Sequence, residues 1–314
     1  MQKKILLIGL GKIGWNNGGR KEPSFNNDFL NSKNHFDAAL AAKCEIVGAV
    51  EINTTVAKEF SIATNLPTWS SIRDVPKNII IDICIICTPD NTHYRVLKEI
   101  LENLEIRGIV CEKPFGINAQ ESAEMIELSK KHAVPILVNY TRHFSNGFTN
   151  FLDFTKNDEF IEGHFTYSHS LRRNGSHFLN LVIEVLGVPK SIDNFSGIGY
   201  KDNPTFRLIY ENKKFFYFYG MDSNLIQTGD AIFVFKEKTI RIIDSTSFKV
   251  RKISSKFIFP LWNDQLDLIF EGTLSFGLDN IYRLNWNSEE FKQELNQLMI
   301  SSLECNKIID SLQY

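Results

Sequence analysis

The chain has 314 residues and a nearly balanced charge, with 35 Lys and Arg residues against 37 Asp and Glu residues. This length suits two domains, and the balance excludes the basic surface that nucleic-acid binding requires. No apolar run reaches the ~18 residues of a membrane span, and the five cysteines form no metal-ligand or disulfide framework. We therefore expect a cytoplasmic protein with no metal site and no nucleic-acid or membrane partner.

The first apolar run, Lys4–Ile8, is predicted to be a buried strand, and it ends directly in a G-x-G-x-x-G string. Gly9 can make the tight turn, Gly11 leaves the backbone open to a pyrophosphate, and Gly14 permits close packing of the chain that follows. Phosphates would bind the free N–H groups at the start of the next helix. The residues of this turn that we expect to bind a dinucleotide are Gly9, Gly11, Lys12, Ile13 and Gly14.

An acidic residue, Glu51, follows the second predicted strand, Glu45–Val50, where it can accept hydrogen bonds from a ribose diol. It lies about twenty residues later than the fingerprint expects. The Asn-, Gly- and Ser-rich residues 15–34 have the composition of an inserted loop, so we predict a loop over the cofactor or substrate mouth and a helix that resumes at His35. Because a carboxylate accepts a 2′-hydroxyl and repels a 2′-phosphate, Glu51 favours NAD over NADP.

Alternating apolar runs and helical patterns continue to about residue 140 and predict parallel βαβ units. The further strands predicted there are Ile79–Cys87, Gly108–Cys111 and Pro135–Asn139, and the helices are Thr54–Thr64, Asn91–Asn103 and Asn118–His132. Cys84 and Cys87 form a C-x-x-C within one apolar run. We interpret them as core residues in a reducing compartment.

The pattern changes after Arg142. A helix is predicted at Ser176–Leu186, then strands at Thr205–Tyr210, Phe215–Tyr219, Ala231–Phe235 and Ile240–Ile243, and a last helix at Glu289–Gln313. The predicted fold class is α/β, with an N-terminal Rossmann dinucleotide-binding domain (1–140) and a C-terminal α+β domain (141–314) built on a largely antiparallel sheet. The aromatic run 215–219 is predicted to be sheet core or an oligomer face, so we expect a homo-oligomer through this sheet.

Two motifs follow strands at the edge where an open parallel sheet binds its ligands. The first is Thr88-Pro89, in which Thr88 can offer a hydroxyl to a cofactor and Pro89 ends the strand. The second is Glu112-Lys113-Pro114. A lysine beside a glutamate at a strand end can donate or accept a proton near a hydroxyl or carbonyl, although alone it would be interpreted as a surface salt bridge.

Together, five motifs resemble the glucose-fructose oxidoreductase, inositol dehydrogenase and rhizopine-catabolism family, written Gfo/Idh/MocA. They are GLGKIG, Thr88-Pro89-x-x-x-His93, Glu112-Lys113-Pro114, Tyr140-Thr141-Arg142 and Asn174-Gly175-Ser176-His177-Phe178-Leu179-Asn180. The resemblance covers the N-terminal half and the start of the second domain. The last hundred residues carry no matching motif.

The resemblance implies an NAD(P)-dependent oxidoreductase that transfers a hydride between a nicotinamide, bound between the domains, and a hydroxyl or carbonyl of a sugar or sugar derivative. It implies that Lys113 orients the reacting hydroxyl and that His177 is the acid or base. The other cofactor-binding residues would be Thr88, Pro89, Asn91, His93 and Glu112. The substrate-binding residues would be Lys113, Tyr140, Arg142, Arg173, Asn174, His177 and Asn180. Arg173 and Asn180 stand where family members often have aspartate.

Histidine suits proton exchange near neutrality because its unperturbed pKa is about 6.5. His177 could instead cap its helix or fill a polar core position. A methyltransferase also surrounds its cofactor with a Gly-rich turn and an acidic strand end, but it gives no reason for the Glu-Lys-Pro motif. A nucleotide-binding regulator or scaffold of the same fold without turnover is the other alternative, and Arg173 favours it.

Overall fold

The computed structural model of the protein describes residues 2–15, 34–145, 147–200, 202–222, 229–243, 247–252, 268–273 and 278–312. In chain order its strands and α-helices are β1 (Lys4–Ile8), α1 (His35–Ala41), β2 (Glu45–Val50), α2 (Thr54–Thr64), β3 (Thr68–Trp69), β4 (Ile83–Ile86), α3 (His93–Asn103), β5 (Gly108–Cys111), α4 (Ala119–His132), β6 (Ile136–Val138), α5 (Phe148–Thr155), β7 (Phe160–Tyr167), α6 (Ser176–Leu186), β8 (Ser191–Tyr200), β9 (Asn203–Ile209), β10 (Phe215–Gly220), β11 (Gly229–Phe235), β12 (Lys238–Ile243), β13 (Ser247–Lys252), β14 (Leu268–Thr273), α7 (Leu278–Ile281) and α8 (Glu289–Ser311). The chain forms two compact units, Met1–Tyr140 with Gly277–Asn306, and Thr141–Phe276 with Lys307–Tyr314.

The first unit is built on a parallel sheet with the strand order β3-β2-β1-β4-β5-β6. Its central strands are fully buried, since apolar residues occupy both faces, as in Ile83–Ile86. The order reverses between β1 and β4, which is the point at which such sheets bind ligands. The Rossmann sheet predicted from the sequence is therefore confirmed.

Residues 277–306, which the sequence analysis grouped with the second domain, pack within this first unit. The Lys3 Nζ donates hydrogen bonds to the backbone oxygens of Tyr282 (2.6 Å) and Leu284 (2.8 Å). The Trp286 ring lies so close to Gly108, at the start of β5, that a Cβ on this glycine would be 2.3 Å from the ring. This segment therefore forms part of the packing beneath the amino ends of the strands.

The second unit contains a mixed sheet with the order β14-β13-β12-β11-β7-β10-β9-β8. Among the pairs in the described ranges, β7 and β10 run parallel and the others antiparallel. The largely antiparallel sheet was predicted correctly. In β10, Phe216 and Phe218 are fully buried, which confirms that this run contributes to a sheet core, and Tyr219 is 42% exposed on the other face. The oligomer expected through this sheet stays a prediction.

The predicted strand Ile79–Cys87 is longer than the observed strand β4, because the chain before Ile83 does not enter the sheet and leaves Ile80 exposed. All five cysteines are buried and not disulfide-bonded. Across the described residues, no helix has the length and apolar character to cross a membrane. In the same ranges, no three His, Cys, Asp or Glu side chains are grouped as metal ligands.

Candidate functional site

The glycine turn after β1 has three different requirements for glycine. Gly9 has a φ of +92°, and an added Cβ would lie 3.0 Å from the backbone of Cys87. A Cβ on Gly14 would lie 2.3 Å from the carbonyl oxygen of Gly9. Gly11 differs, because its Cβ would meet no atom of the described residues within 4 Å. Two of the glycines are thus needed to form the turn, and the third leaves its outer face open to a ligand.

Helix α1 continues directly from this turn although the sequence between them is long. The backbone N–H of His35 donates to Ile13 O (2.8 Å) and that of Phe36 donates to Gly14 O (3.0 Å). The prediction that the helix resumes at His35 is confirmed. The predicted loop 15–34 falls mostly on residues 16–33, which lie outside the described residues.

Glu51, at the carboxyl end of β2, is held above the glycine turn. Its Oε2 accepts a hydrogen bond from the backbone N–H of Leu10 and its Oε1 accepts one from that of Asn53, both at 2.8 Å. A carboxylate has about four acceptor sites, so these two bonds fix its orientation and leave capacity for a diol. This geometry suits the role in ribose binding that the sequence predicts.

A pocket of about 670 Å³ lies at this edge of the first unit. It is bounded by the glycine turn, the end of β2 and the turn after β4, so the predicted residues Gly9, Gly11, Glu51, Thr88 and Pro89 all line it. The lining residues that the sequence analysis missed include Ile52, Ser70, Ser71, Arg95 and Glu99. Ser70 and Ser71 follow β3, a strand of two residues that gives too short a pattern to detect.

His93 joins two turns at this edge of the sheet. Its Nδ1 lies 2.9 Å from Pro114 O and its Nε2 lies 3.0 Å from Thr88 O. The side chain is 1% exposed. These contacts hold the Thr88 turn beside the Lys113-Pro114 turn, and direct cofactor contact by His93 stays a prediction. Asn91, in the same segment, is exposed.

Glu112 and Lys113 follow β5, and Lys113 is joined to Pro114 by a cis peptide bond. The Glu112 Oε1 lies 2.8 Å from His35 Nε2 and 2.5 Å from Asn139 Nδ2. Lys113, the next residue, is half-buried. The parallel sheet thus brings the glycine turn, Glu51, Thr88 and the Glu112-Lys113 pair to one edge of the first unit.

Tyr140 is the last residue of the first unit's N-terminal segment. It is 3% exposed, and its hydroxyl lies 3.2 Å from Ser302 Oγ of helix α8. These are the contacts of a core residue. Its role in substrate binding stays a prediction.

In the second unit, a π-helical segment, Ser170–Gly175, leads into α6 and carries Arg173 and Asn174. Such segments are frequent at functional sites. His169, just before it, has a φ of +64°, a strained conformation for a residue other than glycine. The Asn174 Nδ2 donates to Ser168 O (3.2 Å). Arg173 is exposed, so the side chain in place of the family aspartate reaches solvent.

The remaining predicted residues of this unit are Arg142, His177 and Asn180. The Arg142 guanidinium lies 4.9 Å from the centroid of the Phe178 ring, and burial lowers its pKa to about 10. His177, in the first turn of α6, is half-buried, and Asn180, one turn later, is 2% exposed. Their spacing places His177 and Asn180 on neighbouring positions of one helix face.

Comparisons with known proteins find one family model that matches the N-terminal part of the chain. Residues 3–140 match the GFO_IDH_MocA family model, described as an oxidoreductase family with an NAD-binding Rossmann fold. An uncharacterised oxidoreductase of Schizosaccharomyces pombe is 22% identical over 181 residues, which are 50% of this chain and 49% of the relative. The chain matches about half or less of the length of its curated relatives.

Two solved structures are similar over nearly the whole chain. The dehydrogenase MviM from Clostridium difficile has a TM-score of 0.72 at 15% identity, covering 99% of this chain and 100% of that one. The UDP-N-acetylglucosamine 3-dehydrogenase GnnA from Acidithiobacillus ferrooxidans has a TM-score of 0.68 at 11% identity, covering 100% and 99%. At these identities the similarity shows the fold. The Rossmann unit therefore matches the Gfo/Idh/MocA family of oxidoreductases over residues 3–140.

Proposed function

We propose that the chain is an NAD-dependent oxidoreductase that transfers a hydride between a nicotinamide cofactor and a hydroxyl or carbonyl group of a sugar or sugar derivative. The observation that carries this proposal is the pocket of about 670 Å³ at the edge where the glycine turn, Glu51 and Thr88 meet. Lys113 follows β5, the strand next to β4, at the same edge.

The residues of this edge fit a dinucleotide. The open face of Gly11 admits a pyrophosphate close to the backbone, and the oriented Glu51 carboxylate can accept hydrogen bonds from ribose hydroxyls. Because Glu51 is an anion fixed by two backbone N–H groups, a 2′-phosphate beside it would be repelled. This is why we propose NAD rather than NADP.

Lys113 and His177 are proposed as the residues that act on the reacting oxygen. The bound nicotinamide supplies the hydride acceptor or donor. When an alcohol is oxidised, its O–H proton must leave as the hydride leaves carbon, and His177 would take that proton. The Lys113 ammonium would donate a hydrogen bond to the same oxygen and stabilise its developing negative charge. In the reverse direction His177 returns the proton to the carbonyl oxygen.

The substrate class is proposed from two supports. The first is the similarity to GnnA, whose name gives it a nucleotide-sugar substrate. The second is the set of polar side chains around His177: Arg173, Asn174 and Asn180 carry the donors and acceptors that sugar hydroxyls require. Arg142 adds a buried cation to the same unit.

A second candidate is a nucleotide-binding regulator or scaffold of this fold without turnover. The exposed Arg173, in place of the family aspartate, favours it. These two functions are distinguished in two steps. The protein is first titrated with NADH, and nicotinamide absorbance is then followed with NAD⁺ as hydride acceptor and a sugar panel that includes UDP-N-acetylglucosamine. NADH binding with turnover supports the oxidoreductase. NADH binding without turnover on any sugar supports the regulator, and no NADH binding contradicts both.

A further inference from the structure

A buried polar cluster lies behind Lys113 in the first unit. It consists of His35, Glu112, Asn139 and Tyr282, which we call the His35 cluster. His35 is fully buried, and Asn139 and Tyr282 are each 1% exposed. The His35 Nε2 lies 2.8 Å from Glu112 Oε1, and its Nδ1 contacts the Tyr282 hydroxyl. None of these contacts is needed to form the parallel sheet.

The direction of the hydrogen bonds in the His35 cluster follows from chemistry. An ionised carboxylate only accepts hydrogen bonds, so His35 must carry a proton on Nε2 and Asn139 must turn its NH₂ group toward Glu112. With Nε2 protonated, a neutral His35 ring accepts the Tyr282 O–H at Nδ1. Every ring position of His35 is then used, and its tautomer is fixed.

His35 is also fixed through its backbone. It is the first residue of α1, and its N–H donates to Ile13 O in the glycine turn (2.8 Å). Asn34, before it, caps the helix by accepting a hydrogen bond from the N–H of Asp37 (2.9 Å). The ring therefore projects from a rigid position, which is what a residue that orients a second residue requires.

The electrostatics of Glu112 involve four titratable neighbours: His35, Lys113, Cys87 and Cys111. Burial raises the pKa of the Glu112 carboxyl. The hydrogen bond from His35 and, when its ring is protonated, its charge, together with Asn139 and Lys113, outweigh burial and hold this pKa below its ordinary value of 4.5. Burial, and then the Glu112 charge, raise the pKa of both thiols, so the cysteines add no charge near neutrality.

We propose that His35 is a positioning residue for Lys113: by binding Glu112 it fixes the carboxylate of the residue that precedes the lysine. This proposal rests on the proposed function, in which Lys113 contacts the reacting oxygen. A fixed negative charge favours the protonated form of Lys113 and limits its movement, so that its hydrogen bond is available to the substrate. His35 itself needs no contact with substrate or cofactor.

The test measures two pKa values by NMR and does not require turnover. The Glu112 carboxyl is followed with ¹³C-glutamate, and Lys113 is followed by reductive ¹³C-methylation, with Glu112→Gln and Lys113→Arg used for assignment. We expect Glu112→Gln to lower the pKa of Lys113 by about one unit, because an adjacent opposite charge is lost. We expect His35→Leu to raise the pKa of Glu112 by about one unit or more and to lower that of Lys113 by less.

Two further variants separate positioning from packing. His35→Gln should restore both pKa values, because its amide can donate to Glu112 and accept from Tyr282. Tyr282→Phe, the matched control, leaves the donor to Glu112 in place and should move the pKa of Glu112 less than His35→Leu does. An unchanged pKa of Glu112 or of Lys113 in His35→Leu, or no recovery in His35→Gln, overturns the proposal.

A second measurement on the wild type is used if His35→Leu does not fold. The His35 ring resonance is followed as the pH is lowered, and it should show an inflection at the pKa of Glu112. If that inflection is absent, the proposal is overturned. Failure of the proposed function has a different signature, namely no NADH binding or no turnover, while the pKa shifts are measured on the protein alone.

Discussion

Gly11 and Gly14 are three residues apart in one turn, and the structure predicts opposite consequences for the same substitution. In Gly11→Ala the added methyl has no neighbour within 4 Å in the part of the chain that the structure describes. Stability should therefore stay within about 0.5 kcal/mol of the wild type. The methyl would occupy the face that a pyrophosphate must approach, so NADH should bind at least about tenfold more weakly, which corresponds to about 1.4 kcal/mol.

In Gly14→Ala the methyl would lie 2.3 Å from the carbonyl oxygen of Gly9, and that oxygen belongs to a turn packed against Cys87. Backbone on both sides must shift, which costs about 1–3 kcal/mol. A loss of this size lowers Tm by about 2–4 °C per kcal/mol for a unit of this size. Scanning calorimetry and NADH titration of both variants test the reasoning. Wild-type NADH affinity in Gly11→Ala, or equal Tm losses in the two variants, would refute it.

Three further predictions concern charged and catalytic groups. By calorimetric titration the wild type should bind NADH more tightly than NADPH. Glu51→Gln should reduce this difference in affinity, because the fixed negative charge is lost. Equal affinities for the two cofactors in the wild type would count against the proposed role of Glu51 in cofactor choice. Lys113→Ala and His177→Ala should each lower kcat by about 10²- to 10⁴-fold on any sugar that is turned over, with NADH affinity retained. Near-normal kcat in His177→Ala would assign proton transfer to another group. Because the pKa of Glu112 is depressed in the folded protein, its contribution to stability is present above pH 4.5 and is lost as the pH falls through the depressed value. The Tm deficit of Glu112→Gln should therefore shrink on acidification, and a deficit that does not change with pH would contradict the assignment.

Local signals predicted the elements that depend on local interactions. Helix α2 was predicted with its observed bounds, since the Asn53 side chain accepts hydrogen bonds from the N–H groups of Thr55 and Val56 and Asn65 ends the helix in a left-handed conformation. The glycine turn and Glu51 were likewise predicted from the sequence. Each directly follows an apolar run that is recognisable as a strand.

Two features that depend on distant partners were not predicted, namely strand β7 and the His35 cluster. Strand β7 is central to the second sheet, yet its interior Gly163 resembles a strand breaker. A Cβ there would lie 2.6 Å from the Phe216 ring, so the glycine is required by a residue more than fifty positions away. The His35 cluster has the same origin: His35 and Tyr282 are 247 positions apart, and neither residue carries a local pattern that would identify the other.

The return of residues 277–306 to the first unit has a consequence for how the protein is made. A ribosome releases β1 to β6 well before Trp286, which covers Gly108, and Asn306, which donates to Gly116 O (3.0 Å) and Ser122 Oγ (2.7 Å). The Rossmann sheet can make these contacts only after the strands of the second sheet have been synthesised. A fragment that stops at residue 140 contains the glycine turn and lacks the packing that finishes the unit around it.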